Sequence, residues 1–468
     1  MFGVQTFCKK VLRRLAQAAK PAPSPDAAPR RVLRWLAAQE RAGLGASSGM
    51  AGLLLPSLFA LGHRDFAQRQ LAWLLSSQQA DGSWTNAENQ TLLNTAQALW
   101  GLTAALERGE NCKQALERAA NYILQKLPEK AEGQQALSAL CSLPALLAAN
   151  RLLHLPDPET AIAKRAVTYQ EGIALAKLPL RDRVPALDAL LNLGLHDQAV
   201  PLLQSLAETQ IEKNNPDVIA QLAACWYKIG CQEAADRAML HLEQGQQKSG
   251  ALSRNKAEAL AASVFFLAAH PLRVDAFFKG ITHLLPEKIS PEDERFQALL
   301  AVVRPGDKVL DAGCGKGRFL KQLKIHAPEV NGYGMDISPE LLAHLPDDIP
   351  TRIGAVEEIP FPDNYFDVTF ACESLEFTQN LEQAVSELIR VTRPGGWVLI
   401  VDKDLKQTGW LECPSWEKWL DAKTIIKLLS VGCENPRHRP IGYNNQPPDG
   451  LMLLWQGQKN EIKNGDAR

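Results

Sequence analysis

The sequence predicts a multidomain protein in which an all-α toroid of helical hairpins precedes a doubly wound α/β domain. Three observations carry that prediction. A Gly-centred turn motif recurs three times in the first half of the chain. Near Pro286 the pattern changes from helical spacing to strands alternating with helices, the signature of a mostly parallel sheet. One of those strands, starting at Lys308 and ending at Asp311, runs into a Gly-x-Gly-x-Gly loop that opens a helix.

Length and composition set the frame for these elements. A chain of 468 residues exceeds what one core supports, and 46% hydrophobic with 22% charged residues is a globular balance. No run approaches the roughly 18–20 consecutive apolar residues of a membrane helix, so a spanning protein is not expected. Lys and Arg (51) nearly cancel Asp and Glu (52), which gives no electrostatic case for a nucleic-acid partner. The nine cysteines are scattered with no Cys-x-x-Cys spacing, so no metal site is expected and a reducing cytoplasm is the expected location.

Residues 1–29 form a basic leader and a Pro-rich linker. Lys9, Lys10, Arg13, Arg14 and Lys20 precede Pro21, Pro23, Pro25 and Pro29. Val4, Phe7, Val11, Leu12 and Leu15 recur at helical spacing, so residues 2–19 are expected to form a short amphipathic helix. Through residues 1–20 it would touch an anionic membrane surface, placing the protein at the inner face of a membrane. A solvated leader helix and an organellar transit peptide are the other readings of this composition.

Residues 30–285 contain the repeats, and stop signals divide them into about twelve helices. Leu61-Gly62-His63-Arg64-Asp65 matches Leu193-Gly194-Leu195-His196-Asp197 and Ile229-Gly230-Cys231-Gln232-Glu233. Each Gly follows an apolar helix, where a left-handed stop is expected, and each acid falls in the first turn of the next helix. Gln78, Gln210 and Gln246 all lie 16 residues after their Gly, and Gly82 and Gly250 lie 20 after. The copies therefore read as helical hairpins, closed into a toroid or left as an open solenoid.

The first copy contains Gln78-Gln79-Ala80-Asp81-Gly82-Ser83-Trp84. It resembles the QW repeat of squalene–hopene cyclases and other prenyltransferase-like α/α barrels, which implies structural roles for Gln78 and Trp84. The sequence has no Asp-x-Asp-Asp acid motif, and aromatics are only 6% of the chain, which argues against carbocation cyclisation. A scaffold or acceptor-binding platform is the expected role.

Residues 286–460 carry the chemistry, followed by a tail, 461–468. A helix over 291–303 leads to the strand 308–311 and the loop Gly313-Cys314-Gly315-Lys316-Gly317. Asp311 ends the strand directly before the glycines. A carboxylate there repels a pyrophosphate but suits the ammonium and sulfonium of S-adenosylmethionine (SAM). A second strand, Asn331–Asp336, ends in an acid 23 residues after Gly313, placed to accept ribose hydroxyls. Further strands are expected at 351–355, 365–372, 397–402, near 440 and at 451–456, with a helix at 381–391. The whole is a seven-stranded, Rossmann-like sheet with its ligand at the carboxyl ends of the strands.

Val309–Gly317, Gly334–Ser338, Ile359–Asp367 and Arg390–Gly396 together resemble the class I SAM-dependent methyltransferases, near the UbiE-like (methyltransferase type 11) group. The resemblance covers some 175 residues and implies SAM as cofactor. It implies that Asp311, Gly313, Cys314, Gly315 and Gly317 hold the methionine part. It further implies Asp336 on the ribose, Ile337 on the adenine, Val356 and Glu357 at the adenine edge, and Cys372 with Glu373 near the sulfonium. Ala355 and Phe377 depart from the family, which often has Asp and His at these places.

Acceptor groups are expected from the loops after the fourth and fifth strands. Glu373, Glu376 and Asp402 are the catalytic candidates, and Lys403, Trp410, Trp416 and Trp419 the acceptor-binding ones. Aromatics interleaved with acids suit a sugar face, while a lid helix packing its Trp residues on the sheet is the plainer reading of that segment. The first functional expectation is O-methylation of a sugar in a surface glycan or glycolipid, with the helical domain as platform. The alternatives are methylation of a quinone or isoprenoid-type lipid, and a non-catalytic SAM-binding or assembly protein.

Overall fold

The computed structural model describes residues 28–41, 47–85, 91–154, 159–209, 211, 213–411, 413–414 and 416–461. The leader helix expected within residues 1–20, Gln210 and Glu412 lie outside the described residues. The chain divides into two compact units between Ala276 and Phe277, inside the helix Lys256–Ile281.

The helical unit is built of hairpins whose stops follow the repeat. Gly62, Gly194 and Gly230 take φ of 72°, 77° and 77°, the left-handed region a side chain resists. Asp65, Asp197 and Glu233 sit in the first turns of the helices that follow, Arg64–Ser77, His196–Ala207 and Gln232–Gly245. Every second helix stacks on the next but one, from Ser48–Ala60 through Thr91–Glu107, Gly133–Leu153 and Leu180–Asn192 to Pro216–Lys228. The intervening helices pack against this inner row, so two layers enclose one continuous core.

The two Gln loops show how the ends of this unit are joined. Gln78 Nε2 donates to Gly82 O (3.0 Å) and to Ala115 O (2.9 Å) on the helix Lys113–Lys126. Gln246 Nε2 donates to Gly250 O (2.9 Å) and to Ala28 O (3.1 Å), the first residue of the helix Ala28–Arg41. A Cβ on Gly82 would meet Arg118 O, and one on Gly250 would meet Arg31 O. The first described helix thus sits against the last loop as Lys113–Lys126 sits against the first. Trp84 is buried, its Nε1 donating to Leu74 O at 3.0 Å, and Leu252 is buried at the matching position.

Among the described residues two helices, Gly133–Leu153 and Lys256–Leu284, are long and apolar enough by length and composition to cross a membrane, although neither is an uninterrupted apolar run. Both owe that composition to the core. Ala136, Leu140, Leu143 and Leu146 on one, and Ala259, Phe266 and Leu267 on the other, are buried in the helical unit.

The second unit holds a seven-stranded mixed sheet. Its strands are β1 (Lys308–Ala312), β2 (Asn331–Asp336), β3 (Thr351–Ile353), β4 (Phe366–Cys372), β5 (Thr392–Lys403), β6 (Cys433–Pro440) and β7 (Met452–Lys459). The order is β3-β2-β1-β4-β5-β7-β6, with β7 antiparallel to both neighbours and the other pairs parallel. Chain order reverses beside β1, so the carboxyl ends of β1 and β4 flank the switch point where a ligand binds. Leu310, Ala312, Val398 and Ile400 are buried in one core layer, Val309, Phe370, Leu399 and Val401 in the other. The strand expected at 397–402 begins earlier, so that Arg393–Gly396 lie inside β5, at a register shift against β4 between Phe366 and Val368. The helix expected over 291–303 is shorter, Glu294–Leu300, capped by the Asp293 side chain. The described residues between Trp410 and Trp419 form no helix.

Candidate active site

The cofactor end is assembled from backbone first. Gly313 N and Cys314 N both donate to Met335 O at 2.9 Å, tying the glycine loop to the end of β2. Gly313 needs its φ of 84°, and a Cβ there would stand 2.4 Å from Ser374 Cβ in the loop after β4. Gly315 N donates to Asp336 Oδ2 (2.8 Å), and Ser338 N to Asp336 Oδ1 (2.9 Å), which fixes the plane of that carboxylate. A Cβ on Gly315 would meet nothing within 4 Å, so this side of the loop is open.

Asp311 is buried at the end of β1, and its Oδ2 has no hydrogen-bond partner among the described residues. Burial pushes its carboxyl up to about 7; Arg318 opposes the shift and Asp336 adds to it. An orphaned, buried carboxyl oxygen fits an incoming ammonium, and the fixed Asp336 fits a diol. These residues therefore suit the methionine and ribose ends of SAM. Ile337 is half-buried beside Asp336 and Cys372 is buried at the end of β4, while Val356 packs in the core. Glu357 is engaged elsewhere: its Oε1 accepts from Gln379 N at 2.7 Å, holding the turn before the helix Leu381–Val391.

The three catalytic candidates separate. Glu373, in a left-handed conformation (φ 53°), accepts from Arg318 (2.6 Å) and Arg295 (2.9 Å) at the same Oε2. Burial works to raise its carboxyl, but the two guanidiniums win and hold it at about 2. Glu376 is buried with Lys403 Nζ 2.5 Å from Oε2, and Glu417 joins Lys403 at 3.2 Å. Burial, then repulsion by Glu417, pushes Glu376 well above the usual carboxylate range. Asp402 is fully buried, accepting from Glu376 N (3.3 Å) and Lys403 N (2.8 Å), and burial pushes it up to about 6.

The acceptor-binding candidates divide likewise. Lys403 is enclosed by its carboxylates. Trp416 is buried, edge-on to Phe277 at 5.3 Å and tilted to Phe377 at 5.8 Å. Trp419 is buried with Nε1 donating to Glu417 Oε1 at 2.8 Å, and Trp410 alone of the three is open, 56% exposed. Phe278 meets Phe377 edge-on at 5.1 Å. Arg295, Arg318, Phe277 and Phe278 were not singled out in the sequence. Arg318 had a signal, a cation directly after the glycine loop; the others lie outside every motif.

Residues 310–400 match the family model described as a methyltransferase domain. The chain is 33% identical over 169 residues to malonyl-[acyl-carrier protein] O-methyltransferase of Serratia marcescens, covering 32% of this chain and 62% of that enzyme. It is 36% identical over 115 residues to the ubiquinone/menaquinone biosynthesis C-methyltransferase UbiE of Burkholderia cenocepacia, covering 23% of this chain and 47% of that one. The chain spans less than two thirds of the length of these curated relatives.

Proposed function

We propose that the protein is a SAM-dependent methyltransferase acting on an acceptor that needs no protein base. When bound, SAM supplies an electrophilic methyl group. Asp311 and Glu373 would take the ammonium of its methionine end, and Asp336 the ribose. Alignment of donor and acceptor is then the protein's main contribution, worth about 7–11 kcal/mol at best.

The observation that carries the acceptor reading is the engagement of all three carboxylates expected to act as catalytic groups. Glu373 is held ionised by two arginines, Glu376 is paired to Lys403, and Asp402 is bound to backbone N–H groups. A sugar hydroxyl, the first expectation from the sequence, needs a base near its attacking oxygen. A carbon of a quinone-type ring or an already ionised oxygen does not. Phe278 and Phe377, both half-buried, add an apolar flank beside Glu376, which suits a quinone or isoprenoid-type lipid. Such an acceptor also suits contact of residues 1–20 with a membrane surface.

The helical unit we read as a closed α/α toroid serving as platform. The hydrogen bond from Gln246 to Ala28, 218 residues apart, supports closure over an open solenoid. The test is labelled methyl transfer from SAM into fractionated lipids and glycans. Label in a lipid fraction is expected. Label in base-stable methyl ethers of sugars restores the glycan reading, and label in neither fraction, with SAM bound, favours an assembly protein.

A further inference from the structure

We propose that Arg295 is a positioning residue for the methionine end of the donor, acting through Glu373. The inference rests on the reading that the glycine loop holds SAM.

Arg295 precedes β1 in sequence and belongs to no donor-binding motif, yet its guanidinium is 2% exposed and ties three separate segments together. Its Nε and Nη2 grip both oxygens of Asp293 (2.9 and 3.0 Å) at the start of the helix Glu294–Leu300. Nη2 also donates to Asn444 Oδ1 (3.1 Å), and Asn444 N returns to Asp293 Oδ2 (2.7 Å), which brings in the loop between β6 and β7. Nη1 is left for Glu373 Oε2 at 2.9 Å, on the loop leaving β4.

That last contact falls on a strained residue. Glu373 is a non-Gly residue at φ 53°, a conformation that persists only where surrounding contacts over-determine it. Ser374, next in the chain, is the residue a Cβ on Gly313 would strike, so the Glu373 loop and the glycine loop are set against each other. Both guanidiniums, Arg295 and Arg318, meet Oε2, and the Glu373 side chain is still one-third exposed. Its other oxygen, Oε1, accepts from neither guanidinium, and Arg318 also acts on the carboxyl of Asp311, whose Oδ2 has no hydrogen-bond partner among the described residues. Carboxylates on both sides of the glycine loop, Asp311 before it and Glu373 next to the Ser374 that packs on Gly313, suit a primary ammonium with its three N–H groups.

A fixed fork is required for this arrangement. Arg supplies planar donors at set angles to Asp293, Asn444 and Glu373 together, whereas Lys offers a single ammonium. Arg295→Lys keeps the charge and loses the geometry.

Calorimetric binding of SAM and of methylthioadenosine, which lacks the amino-acid end, tests the proposal. Arg295→Lys is expected to weaken SAM about tenfold or more, the scale of one charge-assisted hydrogen bond, while methylthioadenosine binds as to the wild type. Should Arg295→Lys not fold, Glu373→Gln decides, with the same split expected. Native SAM affinity in the folded variant overturns the proposal, and so does equal weakening of both ligands, which marks a merely structural residue. A wild-type protein that fails to bind SAM overturns the underlying reading instead.

Discussion

The two ends of the site in the α/β unit are built on opposite principles. At the cofactor end, polar capacity is left open: among the described residues Asp311 Oδ2 has no hydrogen-bond partner, and a Cβ on Gly315 would face space. At the end proposed for the acceptor the polar groups are spent on one another, with Lys403 between Glu376 and Glu417 and Asp402 bound to two backbone N–H groups. The first end is made to receive a ligand whose charges complete it. The second is a rigid wall, where an internal ion pair offsets the cost of burying charge and little is left over for proton transfer.

The largest expected effect comes from closing the open end. Gly313→Ala forces a side chain into a left-handed residue and against Ser374, and SAM affinity should fall about a hundredfold or more by calorimetry. Native affinity in that variant would break the comparison at its first term. Next in size is the wall itself. Lys403→Met leaves Glu376 and Glu417 buried without their cation, and stability in urea should drop by about 3 kcal/mol. SAM affinity should hold in the same variant; a parallel loss would show that the two ends are not independent.

A smaller effect sharpens the difference through pH. Asp311 carries a folded-state carboxyl raised from 3.8 to about 7, so between those values the folded protein holds more protons than the unfolded chain. Its contribution to stability is therefore greatest at acid pH and falls as pH rises through that window. Asp311→Asn should flatten this slope in pH-dependent urea titrations. Because an ammonium favours the ionised carboxyl, SAM binding to the wild type should release a proton below about pH 7. Calorimetry in two buffers of different ionisation enthalpy reads that release, which Asp311→Asn should abolish. The smallest stability effect belongs to exposed Trp410. Trp410→Ala should change it by no more than about 0.5 kcal/mol, and a raised acceptor KM alone would assign Trp410 to the acceptor.

The strands, their order of appearance and the Asp311–glycine–Asp336 constellation were legible because each depends on neighbours in the chain. Gly313 must be glycine for its own backbone angle, and Asp311 must precede it to stand at the end of β1. The hairpin repeat was legible for the same reason, since Gly62, Gly194 and Gly230 stop helices locally. The boundaries of β5 and of the helix Glu294–Leu300 were not, because a bulge against β4 and the cap by Asp293 decided them.

By itself, then, the sequence determined a helical repeat region, a seven-stranded α/β domain and a glycine loop set between Asp311 and Asp336. Only the tertiary structure decided what the acids after β4 and β5 do. Glu373 meets an arginine 78 positions earlier, and that arginine meets Asn444 a further 149 positions along from itself. Glu376 meets Lys403, 27 positions on. Burial and long-range pairing set the charge state of a carboxylate, and neither is written in its local spacing.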